Sequence, residues 1–193
     1  MAITSTVLER AGIDLPVETF EQMVIEAAGQ MLWATAPIDA RRALPLGEGE
    51  ALARGGLDPS PYRGGIDDPL VRTAAEYAAM VASSMSVVEA AELLGVKDSR
   101  VRQRLGERTL YGIKMRAGWR LPRFQFCADG RVPGLDRVLP HLDPELHPVE
   151  VLAWLTAANP DLTIDPDDKP VAPLDWLRSG RSPVVVAELA AEA

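Results

Sequence analysis

A chain of 193 residues with 47% hydrophobic and 25% charged side chains has the mixture of a folded protein rather than a disordered one. Its 5% aromatic content, beside plentiful Ala, Leu and Val, favours helices packed through small aliphatic side chains over a sandwich or barrel. The single cysteine, Cys127, excludes an internal disulfide, and no apolar run approaches the roughly 18 residues needed to span a bilayer.

The first residues lack the basic start and apolar core of a secretory signal, so a cytoplasmic protein without membrane association is expected. Two histidines, His141 and His147, with one distant cysteine fall short of the four close ligands of a structural zinc site. Neither metal nor cofactor is expected.

In chain order, an N-terminal helical region covers residues 1–66. Its strongest pattern runs from Pro16 to Ala34, with Phe20, Met23, Val24, Ala27, Met31 and Leu32 near one stripe. A second helix is expected from Ile38 to Leu44, a short turn at Ala51-Leu52-Ala53, and a hinge in the Gly- and Pro-rich stretch from Gly55 to Gly65. The region reads equally as a homodimer interface and as a helical cap over the neighbouring core.

Residues 67–126 carry the most informative pattern. A helix from Asp68 or Pro69 to Ser84 leads into Ser86-Val87-Val88-Glu89, a capping box. Gly95 is placed to stop the helix that this box begins, and Asp98 is placed to cap the next one. Ala91, Leu94, Val96, Val101 and Leu105 have the spacing to pack the two helices together as a helix-turn-helix.

With Val101 and Leu105 inward, the second helix points Ser99 and Gln103 outward, flanked by Arg100, Arg104 and Arg102. Arg binds guanine bidentately and Gln binds adenine, so Arg100 and Gln103 are the candidates for base contacts. Lys97, Arg102 and Arg104 suit phosphates.

Downstream, residues 110–122 alternate apolar with basic or small residues across a turn at Ala117-Gly118 and read as a β-hairpin wing. Tyr111, Ile113, Trp119 and Leu121 are expected to face the body, and Lys114, Arg116 and Arg120 to project toward a phosphate backbone. From Lys97 to Arg123 there are nine basic and two acidic residues, a net of +7 in a chain of −8, so the remainder carries −15. Such local concentration of positive charge points to nucleic acid. Helix-turn-helix, basic hairpin and Arg120-Leu121-Pro122 resemble the winged DNA-binding units of the excisionase and MerR-like group.

Cys127 to Gly134 has the composition of a linker, and residues 133–193 read as a small helical module. Helices are expected at Leu135–Leu139, Pro148–Ala157, Pro173–Leu177 and Pro183–Ala191, separated by acidic, proline-rich connections at Asn159-Pro160-Asp161 and residues 165–170. Trp154, Leu155, Trp176 and Leu177 are its expected core anchors. The expected fold class is therefore mainly α: a helical N-terminal region, a helix-turn-helix with a short hairpin wing, and a helical C-terminal module.

Trp154-Leu155, Asn159-Pro160-Asp161-Leu162, Pro173-Leu174-Asp175-Trp176-Leu177-Arg178-Ser179-Gly180 and the final apolar helix resemble the toxin-binding domain of the MbcA/ParS/Xre class of antitoxins. The resemblance implies a type II antitoxin that neutralises a RES-domain, NAD-consuming toxin and represses its own promoter. It also implies that the last helix sits at the toxin's active-site entrance, through Val184, Val185, Glu188, Leu189 and Glu192. The expected partners are a double-stranded DNA operator, the toxin and a second copy of the chain. The alternative is a stand-alone helix-turn-helix transcriptional regulator whose C-terminal module senses a ligand or a protein. An enzyme would have to draw on Asp67/Asp68, Asp167/Asp168, His141 and His147, which sit among prolines or in loops without a partnered nucleophile or base. No catalytic residue is expected.

Overall fold

The computed structural model describes residues 5–10, 13, 15–34, 51, 54–56, 69–128, 130–164 and 169–193. The protein is mainly α, with three separate two-stranded antiparallel pairs. The chain divides into two compact units, one of Met1–Leu8 with Leu15–Ala78 and one of Glu9–Asp14 with Ala79–Ala193.

Helix α1 spans Ser5–Arg10, which the sequence pattern did not single out, and the division between the units falls within it after Leu8; in the first unit α2 spans Val17–Ala34, beginning just after Pro16. Phe20 and Ala27 on the expected stripe are buried. The helix expected at 38–44 lies outside the described residues, as do most of the proposed hinge and the pairs Asp67/Asp68 and Asp167/Asp168. The Gly55 N–H donates to the Ala51 carbonyl at 3.1 Å. Helix α3, Pro69–Ser83, runs from the first unit into the second and buries Ala74, Ala78 and Val81 at helical spacing.

After the end of α3 the second unit continues with α4, Val87–Leu94, and α5, Asp98–Gly106. The Ser86 hydroxyl accepts the Glu89 N–H at 3.2 Å, and the Glu89 carboxylate accepts the Ser86 N–H at 2.7 Å, completing the capping box. Gly95 adopts the left-handed conformation at φ 61°, and its N–H returns to the α4 carbonyls. A side chain there would be strained, which is why glycine stops the helix. The cap of α5 differs from expectation. Lys97 is the N-cap, without a side-chain hydrogen bond, and Asp98 lies one residue inside, where its charge meets the helix dipole but makes no cap.

The Ser86 hydrogen bonds, first from its N–H and then from its hydroxyl, hold the Glu89 carboxyl below the usual glutamate range. Arg120 and Arg123 add to this, while partial desolvation opposes it. A depressed folded-state pKa stabilises above the unfolded value and loses that contribution as pH falls through the folded one. Glu89→Gln keeps the box but removes the titration. Its unfolding midpoint, followed by circular dichroism, should therefore fall less steeply than the native one between about pH 5 and 3.

Strands β1, Ile113–Met115, and β2, Gly118–Arg120, pair Ile113 with Arg120, Lys114 with Trp119 and Met115 with Gly118. The two-residue loop is thus Arg116-Ala117, one residue earlier than expected. Met85 and Leu121 exchange backbone hydrogen bonds of 2.9 and 2.8 Å, tying the start of α4 to the base of the hairpin. Val87, Ala90, Ala91, Val101, Leu105, Leu110, Leu121 and Phe126 form one buried cluster beneath these elements.

Residues 127–134, read as a linker, are instead tied down. Phe126–Cys127 (β3) pairs with Gly130–Arg131 (β4), and Val132 is buried. Helix α6, Leu135–Val138, continues as a 3-10 turn over Leu139–His141. Then come α7, Pro148–Thr156; β5, Asn159–Ile164; β6, Lys169–Val171; α8, Pro173–Arg178; and α9, Pro183–Ala190.

The C-terminal part is therefore not purely helical: the expected acidic connections contain a strand pair. Pro160 and Pro170 hid it, since proline argues against a central strand but is tolerated in a two-stranded ribbon, where both strands are edges. A register shift between Asn159 and Thr163 accommodates the irregularity. Leu155 and Leu177 are buried in the surrounding core, against which Trp154 and Trp176 are half-buried. The Trp176 indole N–H donates to the Ser182 carbonyl at 2.9 Å, fixing the turn into α9.

Candidate nucleic-acid interface

Helix α5 buries Val101 and Leu105 and leaves Lys97, Ser99, Arg100, Arg102 and Gln103 exposed, with Arg104 half-buried. The two residues suited to base contact are bonded to each other. The Arg100 guanidinium donates to Gln103 Oε1 at 2.7 Å, and Gln103 Nε2 donates to the Glu107 carboxylate at 2.6 Å. All three lie in solvent, where such bonds exchange with water at little net cost.

Arg104 is more crowded. Burial, followed by the charges of Arg131 and Arg100, lowers its guanidinium pKa, while Asp136 and Glu107 oppose the shift. Arg131, on β4, was hidden by the linker reading. Its one ion pair among the described residues is with Asp136 at 3.5 Å. Like charges gathered this way repel one another until an anion is brought to them.

The hairpin presents its cations on two faces. Directly opposed residues of an antiparallel pair share a face, so Lys114 lies with Trp119, its Nζ 6.0 Å from the ring centroid, and Arg120 lies with buried Ile113. Lys114 and Arg120 therefore do not project together, and Trp119 is not on the Ile113 face. Trp119 nonetheless packs against the buried cluster of the helix pair, as expected; what departs from expectation is Arg120, half-buried beside Ile113 rather than projecting with Lys114. Arg116 occupies the exposed tip, and half-buried Arg120 contributes to the field at Glu89.

Two of the nine basic residues serve the fold. Arg123 Nε donates to the Ser83 carbonyl at 2.7 Å. Arg108 ends α5 at φ 56°, the one non-glycine residue in the left-handed region among the described residues. The Arg108 N–H bonds to the Leu105 carbonyl and the Thr109 N–H to the Arg104 carbonyl, a Schellman arrangement that normally selects glycine. The guanidinium explains the exception, because it donates to the carbonyls of Leu139, Pro140 and Leu142 at the end of the 3-10 turn. Both Arg108→Ala and Arg108→Gly lose this clamp, but only alanine keeps the backbone strain. In urea titrations the glycine variant should be the more stable of the two by about 1 kcal/mol.

Gln125 escaped sequence reasoning. It is 1% exposed; its Oε1 accepts the Tyr111 N–H at 2.9 Å, and its Nε2 donates to the carbonyls of Tyr111 at 2.8 Å and Pro122 at 3.1 Å. It thereby fixes where the chain enters and leaves the hairpin.

On α9, Val184 and Val185 are 54% and 38% exposed, and Glu188 and Glu192 are in solvent. Leu189 instead packs against the C-terminal core. Val184, Ala187 and Glu188 line an apolar groove of about 690 Å³ with Arg137, Pro140 and His141. His147 begins α7, its Nδ1 accepting the Val149 N–H at 3.3 Å, while Glu150 accepts the His147 N–H at 2.8 Å. Among the described residues no three His, Cys, Asp or Glu side chains gather as a metal site requires, and no helix is long and apolar enough to cross a membrane.

No family model matches the chain. A stretch of 81 residues is 38% identical to the DNA-binding protein Rv2175c of Mycobacterium tuberculosis. The chain is thus similar to a protein named for binding DNA. That stretch is 40% of this chain and 54% of the relative, so the match spans about half of the relative's length. The NMR structure of Rv2175c superposes with a TM-score of 0.42 at 30% identity, covering 57% of this chain and 80% of that one.

Proposed function

We propose that residues 86–123 are a winged helix-turn-helix that binds double-stranded DNA, making this chain a transcriptional regulator that acts by binding and carries no catalytic site. Helix α5 lies along the major groove, with Arg100 and Gln103 reaching base edges, while Lys97, Arg102, Lys114 and Arg116 contact phosphates. The observation that carries this reading is that Lys97, Arg100, Arg102, Lys114 and Arg116 are all exposed and none is ion-paired among the described residues, within a segment of net charge +7 in an acidic chain. Similarity to a DNA-binding mycobacterial protein supports it. Two copies on an inverted repeat, with half-sites roughly 34–36 Å apart, are the arrangement such a unit favours.

Fluorescence anisotropy on a duplex from the region upstream of the gene tests the assignment. Arg100→Ala should cost about 1–3 kcal/mol and relax the preference at one base pair, whereas Lys114→Ala should weaken all duplexes alike. Identical sequence profiles for the two variants would contradict the division of roles.

A second reading, the antitoxin one, is favoured by the exposure of Val184 and Val185 beside Glu188 and Glu192 on α9. In it this face holds a RES-domain toxin, as the sequence resemblance implies. Co-expression tests it: an adjacent gene that is toxic alone and harmless beside this chain supports the reading, and a harmless neighbour removes it.

A further inference from the structure

Within the second unit a cavity of about 210 Å³ lies between the helix pair with its hairpin and the C-terminal core. Leu105 and Trp119 line it on one side and Leu146 and Val151 on the other, with Arg108 and Asp143 the charged groups in its wall. We propose that this cavity is an effector site for a single-ring aromatic carboxylate, whose occupancy sets the position of the hairpin against α5. The regulatory half of this inference rests on the DNA-binding reading above; the binding half does not.

Volume fixes the ligand's size. An apolar cavity of about 150 Å³ accepts benzene, and sites for drug-sized molecules begin near 300 Å³, so this one takes a single ring with one small substituent and excludes nucleotides. The apolar and aromatic walls select the ring. Arg108 selects the substituent: beyond its close bond to the Leu142 carbonyl, its donations to Leu139 and Pro140 are both 3.4 Å long. A carboxylate held by the guanidinium fork makes shorter, charge-assisted bonds in their place. Asp143, whose Oδ1 accepts the Glu145 N–H at 2.8 Å, is not ion-paired with Arg108 among the described residues.

The hairpin is the element able to respond. A β-carbon at Gly112, at the hairpin base, would fall 2.5 Å from Leu105 Cδ2 and 3.0 Å from Trp119 Cε3. Hairpin and helix therefore touch closely beside the cavity, and a ring seated against Leu105 and Trp119 acts on both.

The test is a titration of the full chain with benzoate, and with benzyl alcohol as its uncharged counterpart, read by 1H–15N NMR without DNA. Benzoate should produce saturable shifts at the amides of Gly112, Trp119 and Leu146. Arg108→Gly should weaken benzoate about tenfold or more and leave benzyl alcohol unchanged. Leu146→Phe, at a half-buried position, should abolish both by filling the space. Absence of saturable shifts at these amides overturns the site, and equal affinity for both probes overturns the carboxylate assignment. Saturating benzoate should also change duplex affinity at least about threefold; an unchanged affinity in a chain that binds both overturns the coupling. A chain that takes up benzoate but no duplex refutes the interface and leaves the site standing.

Discussion

Gln125→Leu should destabilise the second unit by about 3–5 kcal/mol. Leucine matches the volume but leaves one backbone N–H and two carbonyls, those of half-buried Tyr111 and buried Pro122, without the amide they bond. Each unmet buried group costs about 1–3 kcal/mol, and water is poorly placed to replace a side chain that is 1% exposed. Urea titration gives the loss directly. Because the lost bonds hold the entry and exit of the hairpin, amide exchange should also accelerate at Ile113 and Leu121 before the C-terminal core is affected. A loss below about 1 kcal/mol would mean that the three groups find other partners.

Replacing Arg100, Arg102, Lys114 and Arg116 together by glutamine should lower duplex affinity by about 10²- to 10³-fold near 0.1 M salt, with stability nearly unchanged. All four side chains are exposed, so their removal opens no cavity and leaves no buried group unpaired. Arg100 hydrogen-bonds the exposed Gln103 and Lys114 lies over the Trp119 ring, so neither loss strips a buried group of its partner. Anisotropy and thermal unfolding on the same preparation separate lost binding from lost folding. Arg108→Gly serves as a control that removes one cation from the clamp rather than from the exposed face.

The features legible in the sequence were those whose cause is local. Ser86, Glu89 and Gly95 fix the first helix of the pair through hydrogen bonds and a backbone conformation that few other residues provide. Pro148, Pro173 and Pro183 each open the helix expected of them. The burial of Val101 and Leu105 follows from helical period alone.

What escaped depends on contacts distant in sequence. The left-handed Arg108 is held by carbonyls more than thirty residues away, so its own neighbourhood gave no reason to expect it. Gln125 reads as a surface residue until its three backbone partners are in place, and Arg131 joins the cationic cluster only once β4 lies beside the helix pair. The β5–β6 ribbon was masked by prolines that a central strand would reject, and the half-burial of Arg120 beside Ile113 follows from pairing across the hairpin rather than from alternation along one strand. Periodicity finds helices well, whereas the site also depends on register, which is set by the turn.

The central claim, that a cationic face on an acidic protein lies along a duplex, is tested most directly by the salt dependence of binding. Anisotropy titrations on the upstream duplex between about 50 and 200 mM salt should give log K falling linearly with log salt, with a slope of about −4 or steeper for the native chain. The fourfold variant should be shallower by about three units, since the three lost phosphate contacts of Arg102, Lys114 and Arg116 each remove about 0.9. A native slope near zero, or one that the four substitutions leave unchanged, would contradict the account.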